Sequence, residues 1–302
     1  MRKAAAHLAA ISAIALAASA VFAGQAQADG YPVNWDVLTA TATGAALNIA
    51  PPGANVPCTP DATHPEPVVL VHGIFGNQNM AWQALAPLLA NDGYCVYTLT
   101  YGQTWYSGNL GGVDYLSNSA AELHEFVDQV LAQTGASQVD LVGYSEGGFV
   151  SRLYMKTYGS QDVSQFVGIS PVNSQPPTFS GILTYAYQIP GATALVGVVS
   201  PAFEELSTQP AFTALNTPSA TFGNVTYTDI ATTTDEVATP PDPVSFLPAG
   251  PNVTNENVQS FCPDDSVGHL GMPYDVTTVQ LVLNALDEAQ ARPVPCGRGF
   301  PF

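Results

Sequence analysis

The segment from Gly143 to Gly147, with the sequence GYSEG, holds the side chain best placed to act as a nucleophile. It follows the pattern G-x-S-x-G, which is weak alone because three small residues at fixed spacing often arise by chance. Its flanks make it specific, since an apolar run from Val139 to Val142 precedes it and a helical pattern from Glu146 to Tyr158 follows. A strand–turn–helix of this kind holds a serine on a strained turn with its hydroxyl exposed. We therefore predict that Ser145 is a nucleophile.

A serine hydroxyl becomes a good nucleophile only when a neighbouring base removes its proton. Where the serine sits on such a turn, its partners follow along the chain in the order serine, acid, histidine. The chain has five histidines, and only His269 comes after Ser145. His269 also falls in a loop between the last predicted strand and the last predicted helix. We predict that His269 is the base.

The acid that orients the base is less constrained by the sequence. Asp235 lies just after a predicted strand, where a carboxylate can reach the imidazole and hold it in the correct tautomer. Asp229 falls inside that strand, and two later aspartates lie too near His269 in sequence to come from a separate strand end. We predict that Asp235 is the acid, with Glu236 as the alternative. The other carboxylates are expected to be solvated surface charges: Asp162, Asp229, Asp242, Asp264 and Asp265.

The negative oxygen of a tetrahedral intermediate needs hydrogen-bond donors. One donor should be the backbone N–H of Glu146, the residue after the nucleophile. The other should come from the loop after the first strand, where His72 and Gly73 precede Ile74. We predict the N–H of Ile74, with that of Phe75 as the alternative. His72 is expected to support this turn rather than to act as a base.

Strands and helices alternate along the sequence around these candidates. Apolar runs predict buried strands, and amphipathic stripes predict the helices between them. The alternation indicates βαβ units and a mostly parallel central sheet with helices on both faces. Together with the serine turn it predicts the α/β-hydrolase fold. The predicted strands lie near Val68–Val71, Cys95–Thr100, Val139–Val142, Phe166–Ile169, Val225–Ala231 and Val258–Phe261, and the predicted helices near Trp82–Leu89, Leu116–Thr134, Glu146–Tyr158 and Val276–Ala291.

The alternation breaks between about residues 174 and 222, where Pro, Ser and Thr surround an apolar segment. We interpret this region as an insertion into one catalytic domain, residues 29–302, rather than as a second domain. Its apolar segment runs from Ile182 to Phe203. A cap over an apolar substrate pocket would need such residues. The alternative is a cap that only packs on the sheet.

The first residues have the pattern of an export signal. Arg2 and Lys3 precede an apolar run from Leu8 to Ala23, and small residues follow at 26–28. The run of about sixteen residues is shorter than the roughly 20 that span a bilayer. We predict a signal peptide over residues 1–28, cleaved after Ala28 with Ala23 as the alternative site, and a secreted protein without a transmembrane segment.

The chain is strongly acidic. It has 24 Asp and Glu residues against six Lys and Arg residues, a formal net charge of −18. Such a surface repels phosphate backbones and anionic membranes. We therefore expect no nucleic-acid partner, attribute the acidity to solubility outside the cell, and expect a monomer.

Four cysteines in an exported chain predict two disulfides. Cys58 lies shortly before one predicted strand and Cys95 starts another, while Cys262 and Cys296 flank the C-terminal helix. Of the three possible pairings we predict Cys58–Cys95 and Cys262–Cys296. Each closed loop should add about 3–4 kcal/mol to the free energy of unfolding. No cysteine then remains for catalysis or for a zinc site.

Four segments of the sequence together resemble the secreted bacterial lipases of the class 2 triacylglycerol lipase family. They are residues 68–77, 143–148, 235–237 and 268–271, and the resemblance covers most of the chain after residue 55. It implies hydrolysis of carboxylic esters of fatty acids without an organic cofactor, with transient contact at lipid–water interfaces. Some members bind a structural calcium near the histidine loop. In this chain we expect Asp264 and Asp265 to be a solvated pair and predict no metal.

Other functions are compatible with the same residues. A polyester hydrolase or an acyltransferase would also use the triad of Ser145, Asp235 and His269. A non-enzymatic, hydrolase-like binding module is a further alternative. Such modules usually lose a triad member, and each of the three positions is present in this chain.

Overall fold

One parallel sheet organises the chain. The computed structural model describes residues 30–178, 197 and 199–302. Within these residues six strands pair in the order β2-β1-β3-β4-β5-β6, and each neighbouring pair is parallel. The strands are β1 Val68–Val71, β2 Val96–Thr98, β3 Val139–Tyr144, β4 Val163–Ile169, β5 Thr226–Ala231 and β6 Val253–Asn257.

Helices connect the strands and cover both faces of the sheet. They are α1 Val37–Ala46, α2 Gln78–Trp82, α3 Leu85–Asn91, α4 Leu116–Thr134, α5 Glu146–Tyr158, α6 Pro201–Leu206, α7 Gln209–Asn216, α8 Pro241–Val244, α9 Val258–Phe261 and α10 Val276–Leu286. Two short 3₁₀ helices cover His269–Tyr274 and Glu288–Gln290.

The alternation of side chains along β1 divides the core into two layers. Val68 and Leu70 point to one face, where they join buried residues of α2, α3 and α10. Val69 and Val71 point to the other face, where they join buried residues of α4 and α5. All four side chains are fully buried, because successive residues of a strand face opposite sides and helices cover both.

The order of the strands brings the candidate residues to one edge of the sheet. In a parallel sheet the carboxyl ends of all strands lie along the same edge, which is where α/β folds place their ligands. Ser145 follows β3, which pairs with β1 and β4 in the interior of the sheet. The loop 72–77 follows β1, Asp235 follows β5, and His269 lies beyond β6. The fold therefore gathers residues that are far apart in sequence.

The predicted last strand, Val258–Phe261, is wrong. Those residues form α9, and the strand that pairs with β5 is β6, Val253–Asn257. The sequence VTNEN of β6 is mostly polar, and its side chains are exposed or half-buried. A strand at the edge of a sheet does not need the apolar run that marks an interior strand. Val258, which suggested a strand, is instead buried beside α10.

Helix bounds also differ from the predictions in two places. The helix predicted around Trp82–Leu89 is two segments, α2 and α3. The last helix ends at Leu286 rather than at Ala291, because the side chain of Asp287 caps a separate 3₁₀ turn by accepting the N–H of Gln290. In the predicted cap, α6 and α7 are described, whereas most of the apolar segment 182–203 lies outside the described residues, as does the predicted signal peptide 1–28.

Asp229, expected to be a surface charge, is fully buried within β5. Its carboxylate accepts hydrogen bonds from the side chain of Asn173 at 2.9 Å and from the N–H of Leu247 at 3.1 Å. Burial raises the pKa of Asp229 to about 7, against the opposing charge of the buried Arg152. The guanidinium of Arg152 in turn binds the carbonyl oxygens of Asn173 and Ala220. A buried polar network therefore ties β5 to α5 and to the loop after β4.

The cysteines form the two predicted pairs, Cys58–Cys95 and Cys262–Cys296, and the described residues include no free cysteine. The first disulfide ties the segment before β1 to the start of β2. The second joins the end of α9 to the segment after α10. Among the described residues, no helix combines the length and the apolar character needed to cross a membrane.

Candidate active site

Ser145 lies on a strained turn between β3 and α5. Its φ of 55° and ψ of −121° place a residue with a side chain in a region that normally favours glycine. A Cβ atom on Gly147 would lie 2.1 Å from the carbonyl oxygen of Val71, and one on Gly143 would lie 2.7 Å from that of Gly147. The two glycines are therefore required, because the start of α5 passes against the backbone of β1 and β3. This contact holds the strained conformation of Ser145.

Three predicted residues meet at the carboxyl edge of the sheet. The Nε2 atom of His269 lies 2.8 Å from the Oγ of Ser145, and its Nδ1 atom lies 2.9 Å from the Oδ2 of Asp235. All three side chains are buried. Because a carboxylate only accepts hydrogen bonds, Nδ1 carries the proton and Nε2 is free to accept the hydroxyl of Ser145.

Burial and charge act in opposite directions on the pair of Asp235 and His269. Burial raises the pKa of Asp235, but the charge and the hydrogen bond of His269, together with the hydrogen bond from the N–H of Val237, leave that pKa below its ordinary value. Burial lowers the pKa of His269, but the charge and hydrogen bond of Asp235, with the charge of Glu236, leave it above its ordinary value. The pair therefore favours a charged carboxylate beside an imidazole of increased basicity.

The turn after β5 fixes the carboxylate of Asp235. Its Oδ1 atom accepts the N–H groups of Val237 at 2.8 Å and Ala238 at 2.6 Å, which leaves Oδ2 directed at the ring. The next residue, Glu236, was the alternative acid. Its Oε2 atom accepts the backbone N–H of His269 at 2.9 Å and does not contact the ring nitrogens. No pattern in the sequence indicated that two consecutive carboxylates would bind different atoms of one histidine.

The loop that carries His269 is tied to the turn after β5 by polar contacts. The hydroxyls of Thr232 and Thr234 donate to the carbonyl oxygen of Val267 at 2.9 and 2.7 Å. The amide of Gln259 donates to the hydroxyl of Thr232 at 2.8 Å and to the carbonyl oxygen of Asp265 at 3.0 Å. The positions of Asp235 and His269 are therefore coupled through their supporting backbone.

Residues near the end of the sequence also hold the histidine loop. The N–H of Gly268 donates to the carbonyl oxygen of Phe300, and that of Gly271 donates to the carbonyl oxygen of Phe302, each at 2.7 Å. We call residues 298–302 the tail segment. The disulfide Cys262–Cys296 anchors the chain just before it. Nothing in the sequence signalled this contact, because the tail segment has neither a strand pattern nor a helix pattern.

The expectation that Asp264 and Asp265 form a solvated pair is wrong for Asp265. Asp264 is exposed, but Asp265 is buried. Its carboxylate accepts the N–H of Val267 at 3.1 Å and the hydroxyl of Thr277 at 2.9 Å, so that it joins the histidine loop to α10. In the part of the chain that the structure describes, no three His, Cys, Asp or Glu side chains cluster in a way that could hold a metal ion.

The loop after β1 approaches Ser145 from the opposite side. A Cβ atom on Gly73 would lie 3.0 Å from the Cβ of Ser145, so this backbone lies directly against Ser145. The Nδ1–H of His72 donates to the carbonyl oxygen of Gly73 at 2.7 Å, and its ring stacks on Tyr101. Burial lowers the pKa of His72 to about 4, so its ring is neutral and serves the loop. The next residue, Ile74, lines the same cavity as Ser145.

Glu146 presents its backbone and its side chain to different surroundings. As the first residue of α5 it has no intrahelical acceptor for its N–H, which lies beside Ser145. Its side chain is fully buried, and within the described residues neither carboxyl oxygen has a hydrogen-bond partner. Burial, with the nearby charge of Glu205 on α6, raises the pKa of Glu146 well above its ordinary value. Burial of this carboxyl therefore favours its protonated form.

Ser145 opens into an apolar cavity of about 330 Å³. Phe75 of the loop after β1 and Phe203 of α6 contribute rings whose centroids are 6.5 Å apart. Phe75 adopts a φ of 56°, an unusual conformation for a bulky residue. The remaining apolar lining comes from several elements: Ile74, Met80, Ala81, Val172, Leu206, Val237, Leu270 and Pro273.

The chain resembles known lipases in sequence. Residues 65–204 match the model of the family described as lipase (class 2). Over 129 residues, 40% of this chain and 34% of the relative, it is 34% identical to a triacylglycerol lipase of Burkholderia plantarii. Over 94 residues, 28% of this chain and 27% of the relative, it is 36% identical to a triacylglycerol lipase of Pseudarthrobacter phenanthrenivorans. The chain thus spans about a third or less of the length of these curated relatives.

The fold also has a solved counterpart. The crystal structure of Aspergillus fumigatus lipase B superposes with a TM-score of 0.52 at 17% identity, over 80% of this chain and 61% of that one. With the six-stranded parallel sheet and its helical layers, this likeness confirms the α/β-hydrolase fold. Residues 65–204, slightly less than half of the chain, resemble the class 2 lipase family.

Proposed function

We propose that the protein hydrolyses carboxylic esters of fatty acids by way of an acyl-enzyme. In this proposal Ser145 is the nucleophile and His269 is the general base. Asp235 orients the imidazole of His269 and stabilises its protonated form. The observation that carries this proposal is the chain of contacts from Ser145 Oγ through His269 to Asp235, at 2.8 and 2.9 Å, at the wall of an apolar cavity. The match of residues 65–204 to the class 2 lipase family and the names of the curated relatives support the same reaction.

In the first half of the reaction, Oγ of Ser145 attacks the ester carbonyl carbon while its proton passes to Nε2 of His269. The carbonyl oxygen becomes an oxyanion that the N–H groups of Ile74 and Glu146 stabilise by hydrogen bonds. The tetrahedral intermediate then collapses. The bond between the carbonyl carbon and the alcohol oxygen breaks, and the alcohol leaves with the proton returned by His269. The acyl group remains bound to Ser145.

In the second half, His269 removes a proton from a water molecule, whose oxygen attacks the acyl carbon. The second tetrahedral intermediate uses the same two N–H donors. Its collapse releases a carboxylic acid and returns the proton from His269 to Ser145. Asp235 stays ionised throughout and stabilises the imidazolium that forms twice in each turnover, consistent with its lowered pKa.

The apolar character of the cavity supports the proposal that it binds the hydrocarbon chain of the acyl or alcohol part of the ester. Its wall is mainly aliphatic and aromatic, and its polar residues include Ser145 and His269. Such a site binds hydrocarbon by burial and fixes the reacting ester by a few polar contacts. Phe203 and Leu206 come from the predicted cap, so this proposal includes a cap that helps to bind the substrate.

We also propose that the protein acts outside the cell after removal of residues 1–28, as a monomer. The two disulfides support this compartment, because such bonds persist in oxidising surroundings. The N-terminal sequence of the secreted protein should begin at Asp29. A mature N-terminus at Met1 would contradict the proposal of a cleaved signal.

A labelling experiment tests the function directly. Purified protein is treated with a fluorophosphonate probe and then assayed with p-nitrophenyl esters of two to sixteen carbons. We expect one label, on Ser145, and turnover that increases with chain length beyond the acetate. The variant Ser145→Ala should be unlabelled and inactive while keeping its melting temperature. An unlabelled parent protein would indicate a binding module, and ester synthesis with added alcohol at the expense of hydrolysis would indicate an acyltransferase.

A further inference from the structure

We propose that Glu236 is a positioning residue for His269, holding the backbone of the base while Asp235 holds its ring. This inference rests on the proposed function, in which His269 is the base. It gives Glu236 a part in the reaction that differs from that of the acid, although the two residues are adjacent in sequence.

The geometry separates the two carboxylates clearly. Oε2 of Glu236 accepts the backbone N–H of His269 at 2.9 Å, and Oδ2 of Asp235 accepts its ring Nδ1–H at 2.9 Å. Both acids belong to the turn after β5, and they bind different atoms of His269, its backbone nitrogen and its ring nitrogen. A hydrogen bond to a charged group is stronger than one between neutral groups, so the contact of Glu236 is a firm constraint on the loop.

The contact occupies a space that the histidine loop provides. A Cβ atom on Gly268 would lie 2.6 Å from Oε2 of Glu236 and 2.6 Å from the backbone nitrogen of Phe302. The residue before His269 must therefore lack a side chain for the carboxylate and the tail segment to approach together.

Every polar atom of His269 then has a separate partner. The hydroxyl of Tyr144 donates to its carbonyl oxygen at 3.0 Å, and Ser145 faces Nε2 at 2.8 Å. Asp235 binds Nδ1, and Glu236 binds the N–H. The removal of Glu236 would leave the backbone N–H of His269 without this hydrogen bond, while the three other contacts would keep the ring near Ser145.

Glu236 also adds a second negative charge near the imidazole. The titratable groups facing His269 are Asp235 and Glu236 from the turn after β5 and Tyr144 from β3, whose ring centroid is 5.2 Å away. Tyr144 stays neutral because burial, with the charges of the two acids, raises its pKa well above its ordinary value. Burial lowers the pKa of His269, whereas Asp235 first and Glu236 after it raise that pKa. Loss of Glu236 should therefore make the base easier to deprotonate.

Two variants separate the hydrogen bond from the charge. Glu236→Gln keeps an oxygen that can accept the N–H of His269 but removes the charge, so we expect kcat within a few-fold of the parent. Glu236→Ala removes both, and kcat should fall about 10- to 100-fold at unchanged KM, because a small displacement of a catalytic group has effects of this size. In both variants the acid limb of the profile of kcat/KM against pH should move to lower pH, since this limb reports the pKa of the free base.

The matched control is Asp264→Ala, which removes an exposed carboxylate of the same loop. It should leave kcat, KM and the acid limb as in the parent. Melting temperatures of all variants check folding, and Glu236→Gln keeps the test valid if Glu236→Ala is unstable. An acid limb that does not move in either Glu236 variant, or a Glu236→Ala variant with the kcat of the parent, would overturn the positioning role. A parent protein that the fluorophosphonate fails to label would instead overturn the proposed function.

Discussion

The two sides of Ser145 are held by different forces. On the side of the base, the turn after β5, the histidine loop and the tail segment are joined by hydrogen bonds and anchored by the disulfide Cys262–Cys296. On the side of the cavity, Phe75 meets Phe203 through apolar contact, and the lining comes from separate elements. Directional polar contacts set the position of the base, whereas burial shapes the cavity.

The hydrogen bonds around His269 and the apolar contacts around the cavity match the different requirements of positioning a base and of binding hydrocarbon. A catalytic base must be placed to within a fraction of an ångström of the proton that it removes, and directional hydrogen bonds can do this. A pocket for hydrocarbon gains affinity in proportion to the apolar area that it buries and does not require fixed directions. Changes on the side of the base should therefore alter kcat, and changes on the cavity side should alter the preference for substrates.

The largest effects should come from breaking the contact between Ser145 and His269. Ser145→Ala and His269→Ala should each lower kcat about 10⁶-fold, and the double variant should be no slower than either, because nucleophile and base act as a unit. The measurement is single-turnover kinetics with p-nitrophenyl butyrate, with folding checked by thermal melting. A double variant far slower than both single variants would show that the two side chains act independently.

Asp235→Asn should have the next largest effect, a decrease in kcat of about 10⁴-fold, the size found for this change in a serine protease triad. An amide can turn its NH₂ group toward the ring, fix the wrong tautomer, and offer no charge to the imidazolium. Glu236→Gln, measured at the same pH near neutrality, should cost far less. If Glu236→Gln were the inactive variant and Asp235→Asn the active one, the assignment of these two residues would be reversed.

The two disulfides provide a comparison within one molecule. Replacing either pair with serines, Cys58 with Cys95 or Cys262 with Cys296, should lower the free energy of unfolding by about 3–4 kcal/mol. Only the second replacement should also lower kcat of the folded protein, because it releases the tail segment that holds the histidine loop. Assays well below the melting temperature of each variant separate the two effects. Equal kcat values in both variants would argue against a link between the tail segment and the base.

On the cavity side, Phe203→Ala should change substrate preference more than rate. Loss of the ring removes apolar surface next to Phe75, so kcat/KM for esters of eight or more carbons should fall about 10-fold, the effect expected for a small change in an apolar pocket. Turnover of the acetate should stay near that of the parent. A uniform decrease for all chain lengths would indicate that α6 supports the site rather than binds the substrate.

Glu146→Gln should give the smallest effect, a change in how stability depends on pH. The pKa of Glu146 is raised in the folded protein, so its contribution to stability is present below the ordinary pKa of glutamate and is lost as pH rises through the folded pKa. Glutamine has no proton to lose. The melting temperature of the variant should therefore fall less than that of the parent as pH rises above the ordinary pKa of glutamate, and parallel curves would contradict a raised pKa of Glu146.

The sequence predicted the parts of the molecule that follow local rules. Apolar runs located β1 and β3, and an amphipathic stripe gave both ends of α4. The order of residues along the chain also selected Ser145, Asp235 and His269, which the fold brings together. Their roles in catalysis remain predictions until they are tested.

Other features depend on contacts that no local pattern encodes. The edge strand β6 is polar, so its sequence resembles a loop. Asp229 and Asp265 are buried because distant partners satisfy them, Asn173 and Thr277 among them. The contact of the tail segment with Gly268 likewise joins two irregular segments. Such pairings appear only when the packing of the whole domain is known.

The tail segment also affects when the site can assemble. Ser145 and His269 are 124 positions apart, and the backbone groups that hold the histidine loop come later still, at Phe300 and Phe302. A chain growing from its N-terminus can pair β1 with β3 and form the strained turn long before these residues exist. Ser145 can therefore reach its strained conformation before His269 is held in place, and under the proposed function we expect esterase activity to appear only after the tail segment has folded.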